Sequence, residues 1–169
     1  MALISLDPIE KIDLTCMMIW RNSPSVYPYV REYRLLNEHD QEKWYESYLS
    51  SRRKSDFDQD INILVYDDIP IGVCGLTRIE WKNRKGELTF YIGDDEYRKE
   101  SVIIKSITYL LNHYFSSFGL HKITWPVYSH DPNIAAYAKV MPCEAILKDE
   151  YWWNNKFNDR IYLSKINSA

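Results

Sequence analysis

The sequence predicts an α/β fold with a mixed (α+β) sheet, in which an antiparallel meander is followed by a parallel strand-helix-strand unit and a terminal hairpin. Three observations support this prediction. Three consecutive strand-like segments are separated by short turns. The strongest helical periodicity of the chain follows them, at positions 103–118, and leads into another strand. The 169 residues, with 46% hydrophobic residues, suffice for one domain over 1–169 with its own core.

Two helices are expected before the meander. Apolar residues between Ile9 and Trp20 recur at a loose helical spacing, and Pro24 follows soon after. The second helix is predicted over Glu38–Arg52, because aromatic residues repeat there at helical spacing and Asn37 is a suitable N-cap. The chain is thus expected to begin with helices and then change to strands.

The three strands of the meander are assigned to Ile61–Tyr66, Ile71–Ile79 and Glu87–Ile92. In the third strand, even-numbered residues are expected on one face and odd-numbered residues on the other. The long amphipathic helix ends at Gly119, a suitable residue for the position after a helix. The elements expected after it are a strand at Lys122–Val127, a short helix at Asn133–Val140, and hairpin strands near Ala145–Trp153 and Arg160–Ile166.

Composition excludes several classes of protein. The net charge of −3 argues against a protein that binds duplex nucleic acid, which needs a basic face. With five glycines, neither a Walker loop nor a G-x-G-x-x-G turn occurs. No apolar run approaches the roughly 20 residues of a membrane span, and no signal peptide is recognised. Three widely spaced cysteines suggest neither a metal site nor a disulfide framework, so we expect a cytoplasmic protein without membrane contact.

Six strings of the sequence carry a resemblance to a known family. They are WRNSP at 20–24, IPIGVCGL at 69–76, GELTFYI at 86–92, YFSSFGLHKI at 114–123, EAILKD at 144–149 and DRIYL at 159–163. In this order and spacing they resemble the GCN5-related N-acetyltransferase (GNAT) family, especially its branch that acetylates ribosomal-protein N-termini and amino sugars. The resemblance covers nearly the whole chain.

The resemblance implies that acetyl-CoA is the co-substrate and lies where Glu87–Ile92 and Lys122–Val127 splay apart. Phe90, Tyr91 and Ile92 would then offer backbone contacts to its pantetheine amides. No metal is implied.

The resemblance also implies that the start of the long helix holds the pyrophosphate, since helix N-termini bind anions. The residues concerned are Arg98, Lys99, Glu100, Ser101, Val102 and Ile103. The family pattern is R/Q-x-x-G-x-G/A, so Ser101 and Ile103 stand where the family has small residues. The hydroxyl and N–H of Ser101 can both donate, whereas β-branched Ile103 is expected to crowd the phosphate. The alternative is an ordinary helix start with solvated charges.

Two residues are candidates for catalysis. By resemblance, Tyr137 is the acid that protonates the leaving thiolate, and Glu87 is a base acting through water. The alternatives are that Tyr137 only packs and that Glu87 pairs with Arg84 or Lys85. His130 is a possible base, but it is expected in a loop as a surface or capping residue.

The acceptor site is expected between the first helices and the terminal hairpin. Trp20, Arg21, Tyr33 and Trp152 are its candidate residues, because aromatic walls with a few charges suit a sugar, a nucleotide or a peptide end. At least half of the aromatic residues in these regions are expected to be core instead.

The first functional hypothesis is an acetyl-CoA-dependent N-acetyltransferase. It would transfer an acetyl group directly, in a ternary complex, to a small-molecule amine, an amino sugar or a protein N-terminus. The second is a GNAT-fold binding module whose cofactor loop is degenerate, or an enzyme with another acyl donor or a nucleotide-type acceptor. The many Tyr and Trp residues also make a homodimer plausible.

Overall fold

The structure is a computed structural model, and it describes residues 3–30 and 34–168. In chain order, its strands and helices are β1 (Ile4–Pro8), α1 (Leu14–Asn22), α2 (Glu38–Arg52), β2 (Asp60–Tyr66), β3 (Ile69–Glu80), β4 (Lys85–Ile92), α3 (Glu100–Ser117), β5 (Lys122–Tyr128), α4 (Ile134–Ala138), β6 (Cys143–Trp153) and β7 (Lys156–Ile166). The seven strands form one sheet in the order β1-β2-β3-β4-β5-β7-β6. Among the described strands, only β4 and β5 are parallel neighbours, and every other adjacent pair is antiparallel. The predicted mixed α/β fold is confirmed.

Strand β1 was not predicted from the sequence, and α1 begins later than predicted. β1 is five residues long, too short to show alternation, and it pairs at the sheet edge with β2. The chain then forms a 3-10 turn, because the backbone N–H of Glu10 donates to the Asp13 carboxylate at 2.8 Å. The α-helix therefore starts at Leu14 and not at Ile9.

The sheet has a helical layer on each face, and strand alternation decides which residues meet which layer. The even-numbered residues Leu88, Phe90 and Ile92 of β4 share one face, as predicted, and that face is buried in the core cluster that includes α3. On the opposite face, β2 and β3 pack against α1 and α2. Gly119, with φ of +62°, follows α3 and turns the chain into β5.

A buried polar cluster links α3 to the sheet. The Tyr114 hydroxyl donates to the Asp60 carboxylate at 2.8 Å, and Asn62 donates to the same oxygen at 3.0 Å. Arg52 forms an ion pair with the other oxygen at 3.0 Å. Because Tyr114 is fully buried, desolvation raises its pKa and keeps the phenol protonated as a donor.

We expect Tyr114→Phe to lower the free energy of unfolding by about 1–3 kcal/mol, because it removes a donor from a buried carboxylate. Urea denaturation followed by circular dichroism measures this change. Tyr109→Phe is the matched control, since Tyr109 lies on the exposed side of the same helix. An equal effect of the two substitutions would contradict the assignment.

Candidate active site

The central feature of the site is the divergence of β4 and β5. The two strands pair over three residue pairs, the last of which joins Glu87 and Thr124. β4 then continues to Ile92, and β5 continues to Tyr128. Beyond the last pair, the facing backbone N–H and C=O groups of the two strands have no ladder partners in the described structure. Such groups can pair with an extended ligand that carries amides.

A narrow opening follows this divergence, and we call it the strand cleft. It has a cavity volume of about 40 Å³, and its walls include Phe90, Tyr91 and Ile92 of β4. Trp125 of β5 packs edge-on against Phe90, with ring centroids 5.8 Å apart. Arg98, Ile103 and Tyr137 line the same cleft. The structure therefore brings most of the predicted cofactor residues and one predicted catalytic residue to one place.

The start of α3 provides two backbone donors near the cleft. Lys99 is the N-cap, so the N–H groups of Glu100 and Ser101 have no acceptor within the helix. The next two N–H groups, of Val102 and Ile103, both donate to the Lys99 carbonyl at 3.0 Å. Glu100 and Ser101 are exposed. Two outward N–H groups and the positive end of the helix dipole form a suitable site for an anion.

The Ile103 side chain lies beneath this helix start. It is 2% exposed and belongs to the core, where it lines the inner wall of the strand cleft. The outward surface of the first turn is formed by Ser101. Crowding by the β-branched side chain would therefore act on the inner wall of the cleft and not on the exposed N–H groups.

Arg98 is engaged within the protein. Its Nη2 donates to the Ile92 carbonyl at 2.5 Å, and its Nη1 forms an ion pair with Asp95 at 2.9 Å. Only 17% of the side chain is exposed. In this structure Arg98 fixes the end of β4 against the start of α3, and its charge is balanced by Asp95. The predicted contact with a pyrophosphate would require these bonds to be exchanged.

Tyr137 lies on α4, on the wall of the strand cleft. Its hydroxyl donates to Asp131 Oδ2 at 3.1 Å, and its ring centroid is 4.4 Å from that of Trp125. Burial, with the Asp131 carboxylate nearby, raises the pKa of Tyr137, so the phenol holds its proton throughout the neutral range. Desolvation likewise raises the pKa of Asp131. The hydrogen bonds that Asn133 and Tyr137 donate to its carboxylate act in the opposite direction and only partly offset this rise.

The strand cleft opens into a second, wider cavity on the α1–α2 face of the sheet. This aromatic groove has a volume of about 370 Å³, and its walls include Arg21, Trp44, Glu87, Tyr128 and Arg160. The residues that line both the strand cleft and the aromatic groove are Tyr29, Val30, Phe90, Tyr91, Trp125 and Pro126. A ligand in the cleft and a ligand in the groove would thus meet where the two strands part.

Glu87 lies in the aromatic groove but not with the expected partners. Its carboxylate accepts a hydrogen bond from Arg78 Nη1 at 2.9 Å. Lys85 forms an ion pair with Glu80 at 3.1 Å, and Arg84 donates to the Gly119 carbonyl at 2.7 Å. The expected pairing of Glu87 with Arg84 or Lys85 is therefore wrong. The bulge between β3 and β4, where Arg78 has φ of +50°, brings Arg78 to Glu87 instead.

Of the predicted acceptor residues, the structure brings only Arg21 to the groove. Trp20 packs on the backbone of Gly93, where an added Cβ would lie 2.1 Å from the indole. Trp152 is 56% exposed and packs edge-on against Phe157. Successive residues of a strand point to opposite faces, so Trp152 points outward where its neighbour Tyr151 is buried. Tyr33 lies outside the described residues. Trp20 and Trp152 therefore do not line the aromatic groove.

His130 is the centre of a hydrogen-bonded cluster that was not predicted from the sequence. The Pro28 carbonyl can only accept, so His130 Nε2 donates to it at 2.9 Å. Nδ1 then accepts from the Tyr151 hydroxyl at 2.8 Å in the neutral ring, and the ring stacks on Trp153 at 5.2 Å. Both ring nitrogens are thus used, and His130 holds the segment after α1 against the hairpin. No spacing in the sequence connects these distant residues.

This geometry agrees with comparisons to known proteins. Residues 4–140 match the family model described as an acetyltransferase (GNAT) domain. The solved structure of a spermidine N-acetyltransferase from Vibrio cholerae, in complex with CoA and spermine, superposes with a TM-score of 0.85 at 20% identity, over 98% of this chain and 96% of that one. A ribosomal L7/L12 alpha-N-protein acetyltransferase in complex with CoA superposes with a TM-score of 0.82 at 11% identity, over 96% and 93%. No curated protein matches the chain in sequence.

The family match covers most of the chain, and the chain belongs to the GNAT acetyltransferase family. It is therefore an enzyme of the acyltransferase class, in a family that uses acetyl-CoA. Separately, within the described residues no helix combines the length and the apolar character needed to cross a membrane.

Proposed function

We propose that the protein transfers the acetyl group of acetyl-CoA directly to a primary amine, which is a small molecule, an amino sugar or a protein N-terminus. The observation that carries this proposal is the parting of β4 and β5 after Glu87 and Thr124. It creates a narrow cleft that joins the α3 side of the sheet to the aromatic groove on the other side. Donor and acceptor would bind from opposite faces and react in the gap between the strands.

The donor side would be held by backbone groups. On the freed edge of β4, the N–H and C=O groups of Phe90 and the N–H group of Ile92 would pair with the pantetheine amides, whereas the backbone groups of Tyr91 point to β3 and the Ile92 carbonyl accepts from Arg98. The N–H groups of Glu100 and Ser101 would bind the diphosphate. Acetyl-CoA supplies an activated thioester. The cleft, at about 40 Å³, would have to widen to admit the pantetheine arm, and the helix start beside it is exposed and offers its N–H groups.

The reaction forms a C–N bond and breaks a C–S bond, so one proton must leave the amine and one must reach the sulfur. We assign the second proton to Tyr137, which lines the cleft and remains protonated. The phenol has one O–H group, and in the free protein this group donates a hydrogen bond to Asp131. Protonation of the sulfur therefore requires the O–H to turn from Asp131 to the sulfur. Glu87, in the groove and paired with Arg78, would accept the amine proton through water.

Release of free thiol from acetyl-CoA, measured with a panel of primary amines and an N-terminal peptide, tests the proposed function. We expect thiol release that depends on the amine and is matched mole for mole by acetylated product. Saturable binding of acetyl-CoA without turnover of any amine or peptide would instead favour a binding module with the GNAT fold.

We also propose that the protein acts in the cytoplasm as a homodimer built on the terminal hairpin. Its three cysteines are free, in keeping with a reducing compartment. Strand β6 is the last of the sheet, and the hairpin exposes the large apolar side chains of Ile146, Leu147, Trp152 and Phe157. A related spermidine N-acetyltransferase forms a dodecamer.

Light scattering should give the mass of two chains and not the 20.2 kDa of one. Trp152→Glu should return the mass to one chain, because it places a charge among the exposed apolar side chains. A wild-type mass of one chain at the concentration of the activity assay would contradict the dimer.

A further inference from the structure

The charged side chains of the aromatic groove bear on which class of amine it can bind. Two carboxylates of the described residues lie in this groove and the adjoining cavity beside α2, and both are ion-paired: Glu87 with Arg78 at 2.9 Å and Asp40 with Arg34 at 2.8 Å. The groove wall also carries Arg21 and Arg160. Among the described residues that line the aromatic groove itself, Arg21 and Arg160 are the cations and Glu87, paired with Arg78, is the carboxylate, a composition unfavourable for a polycationic ligand.

Arg160 is held in a way that suits recognition of an anion. Its guanidinium carbon lies 4.3 Å from the ring centroid of Tyr128 and 5.3 Å from that of Tyr151. Because the two rings are nearly perpendicular to each other (86°), the planar cation can stack on one of them only, and its N–H groups remain available for in-plane hydrogen bonds. Its Nε atom is buried and has no hydrogen-bond partner in the described structure. A buried donor of this kind needs an acceptor, and none of the described residues supplies one.

We propose that the acceptor amine carries a carboxylate or a phosphate, which Arg160 binds in the aromatic groove while the amine points to the strand cleft. Both anions have the paired oxygens that match a guanidinium fork. The role of the amine in this inference rests on the proposed acetyl transfer. The binding of the anion by Arg160 does not depend on it. It predicts that this enzyme disfavours polyamines, although the spermidine N-acetyltransferase that superposes on it was solved with spermine.

A direct binding measurement tests the anion site without any turnover. The side-chain Nε–H signal of Arg160 is followed by NMR during separate titrations with inorganic phosphate, acetate and spermidine at constant ionic strength. We expect a saturable shift with phosphate or with acetate. The one that binds more tightly identifies whether the acceptor carries a phosphate or a carboxylate. No shift with either anion, or a shift with spermidine alone, would overturn the proposal.

A matched series of acceptors tests the same inference through catalysis. The series is β-alanine, 3-aminopropyl phosphate, 3-amino-1-propanol and 1,3-diaminopropane, which share a three-carbon amine and differ in charge. We expect kcat/KM for one of the anionic amines to exceed that of the neutral amine by about tenfold or more, with the diamine lowest. Equal values, or the highest value for the diamine, would overturn the proposal.

Two variants connect this preference to Arg160. Arg160→Gln should bring the ratio of anionic to neutral kcat/KM close to one, and Arg160→Lys should retain part of it, because lysine keeps the charge but not the fork. Arg53→Gln is the matched control, since Arg53 is exposed at the end of α2, and it should leave the ratio unchanged. Should no amine be acetylated, the proposed function fails, while the NMR titration still decides whether Arg160 binds an anion.

Discussion

Tyr137→Phe is expected to lower kcat by about a hundredfold or more, with little change in the affinity for acetyl-CoA. A positioned general acid typically contributes about 10²–10⁴-fold, and the phenol is the proposed source of the proton for the leaving thiolate. The ring remains, so its packing against Trp125 and the shape of the strand cleft are preserved. Steady-state kinetics together with calorimetric titration of acetyl-CoA separate the two effects.

The pH dependence provides a second readout for Tyr137. Because its pKa is raised above the ordinary value of tyrosine, the phenol stays protonated at neutral and mildly alkaline pH. As the pH rises toward about 9, ionisation of Tyr137 is therefore not expected to lower the activity. Tyr109→Phe, on the exposed side of α3, should leave kcat unchanged. A Tyr137→Phe enzyme that retains more than about half of the wild-type kcat would remove Tyr137 from the mechanism.

Ser101→Glu is expected to weaken the binding of acetyl-CoA by about a hundredfold, or about 2.8 kcal/mol. The substitution places a carboxylate on the outward face of the first turn of α3, where the diphosphate would bind. Two unit charges of like sign 4 Å apart repel by up to about 4 kcal/mol at an effective dielectric constant of 20. Calorimetric titration measures the loss.

The same substitution should not weaken the fold. A carboxylate in the first turn interacts favourably with the helix dipole, by about 0.3–1 kcal/mol, so the melting temperature should stay or rise. Ser101→Gln is the matched control, because it has the same size without the charge. If the Glu and Gln variants bound acetyl-CoA equally well, the diphosphate would not lie at this helix start.

Most of the fold could be predicted because its elements have strong local patterns. Helix α3 and strand β4 follow periods of 3.6 and 2 residues, and their buried faces agree with those patterns. β1 could not be predicted, since five residues at a sheet edge carry too little alternation and depend on pairing with β2. Local periodicity thus determines the long elements, whereas pairing across the sheet determines the short one.

The site was less predictable, because it is assembled from residues far apart in the chain. Phe90 and Tyr137 were found through local strings, and both line the strand cleft. Arg160 was missed, since its role depends on the rings of Tyr128 and Tyr151, which the pairing of β7 with β5 and β6 brings close to it. Glu87 lies near the start of β4, as predicted, but its partner Arg78 depends on a bulge that no motif in the sequence marks.

Backbone amide NMR during a titration with CoA tests the central claim most directly, because it locates the ligand as well as detecting it. If β4 and β5 part to admit the donor, the amide signals of 89–92 in β4 and those of Glu100 and Ser101 in α3 should shift together and saturate at the same concentration. Shifts confined to other parts of the chain, or no saturable shifts at millimolar CoA, would contradict it.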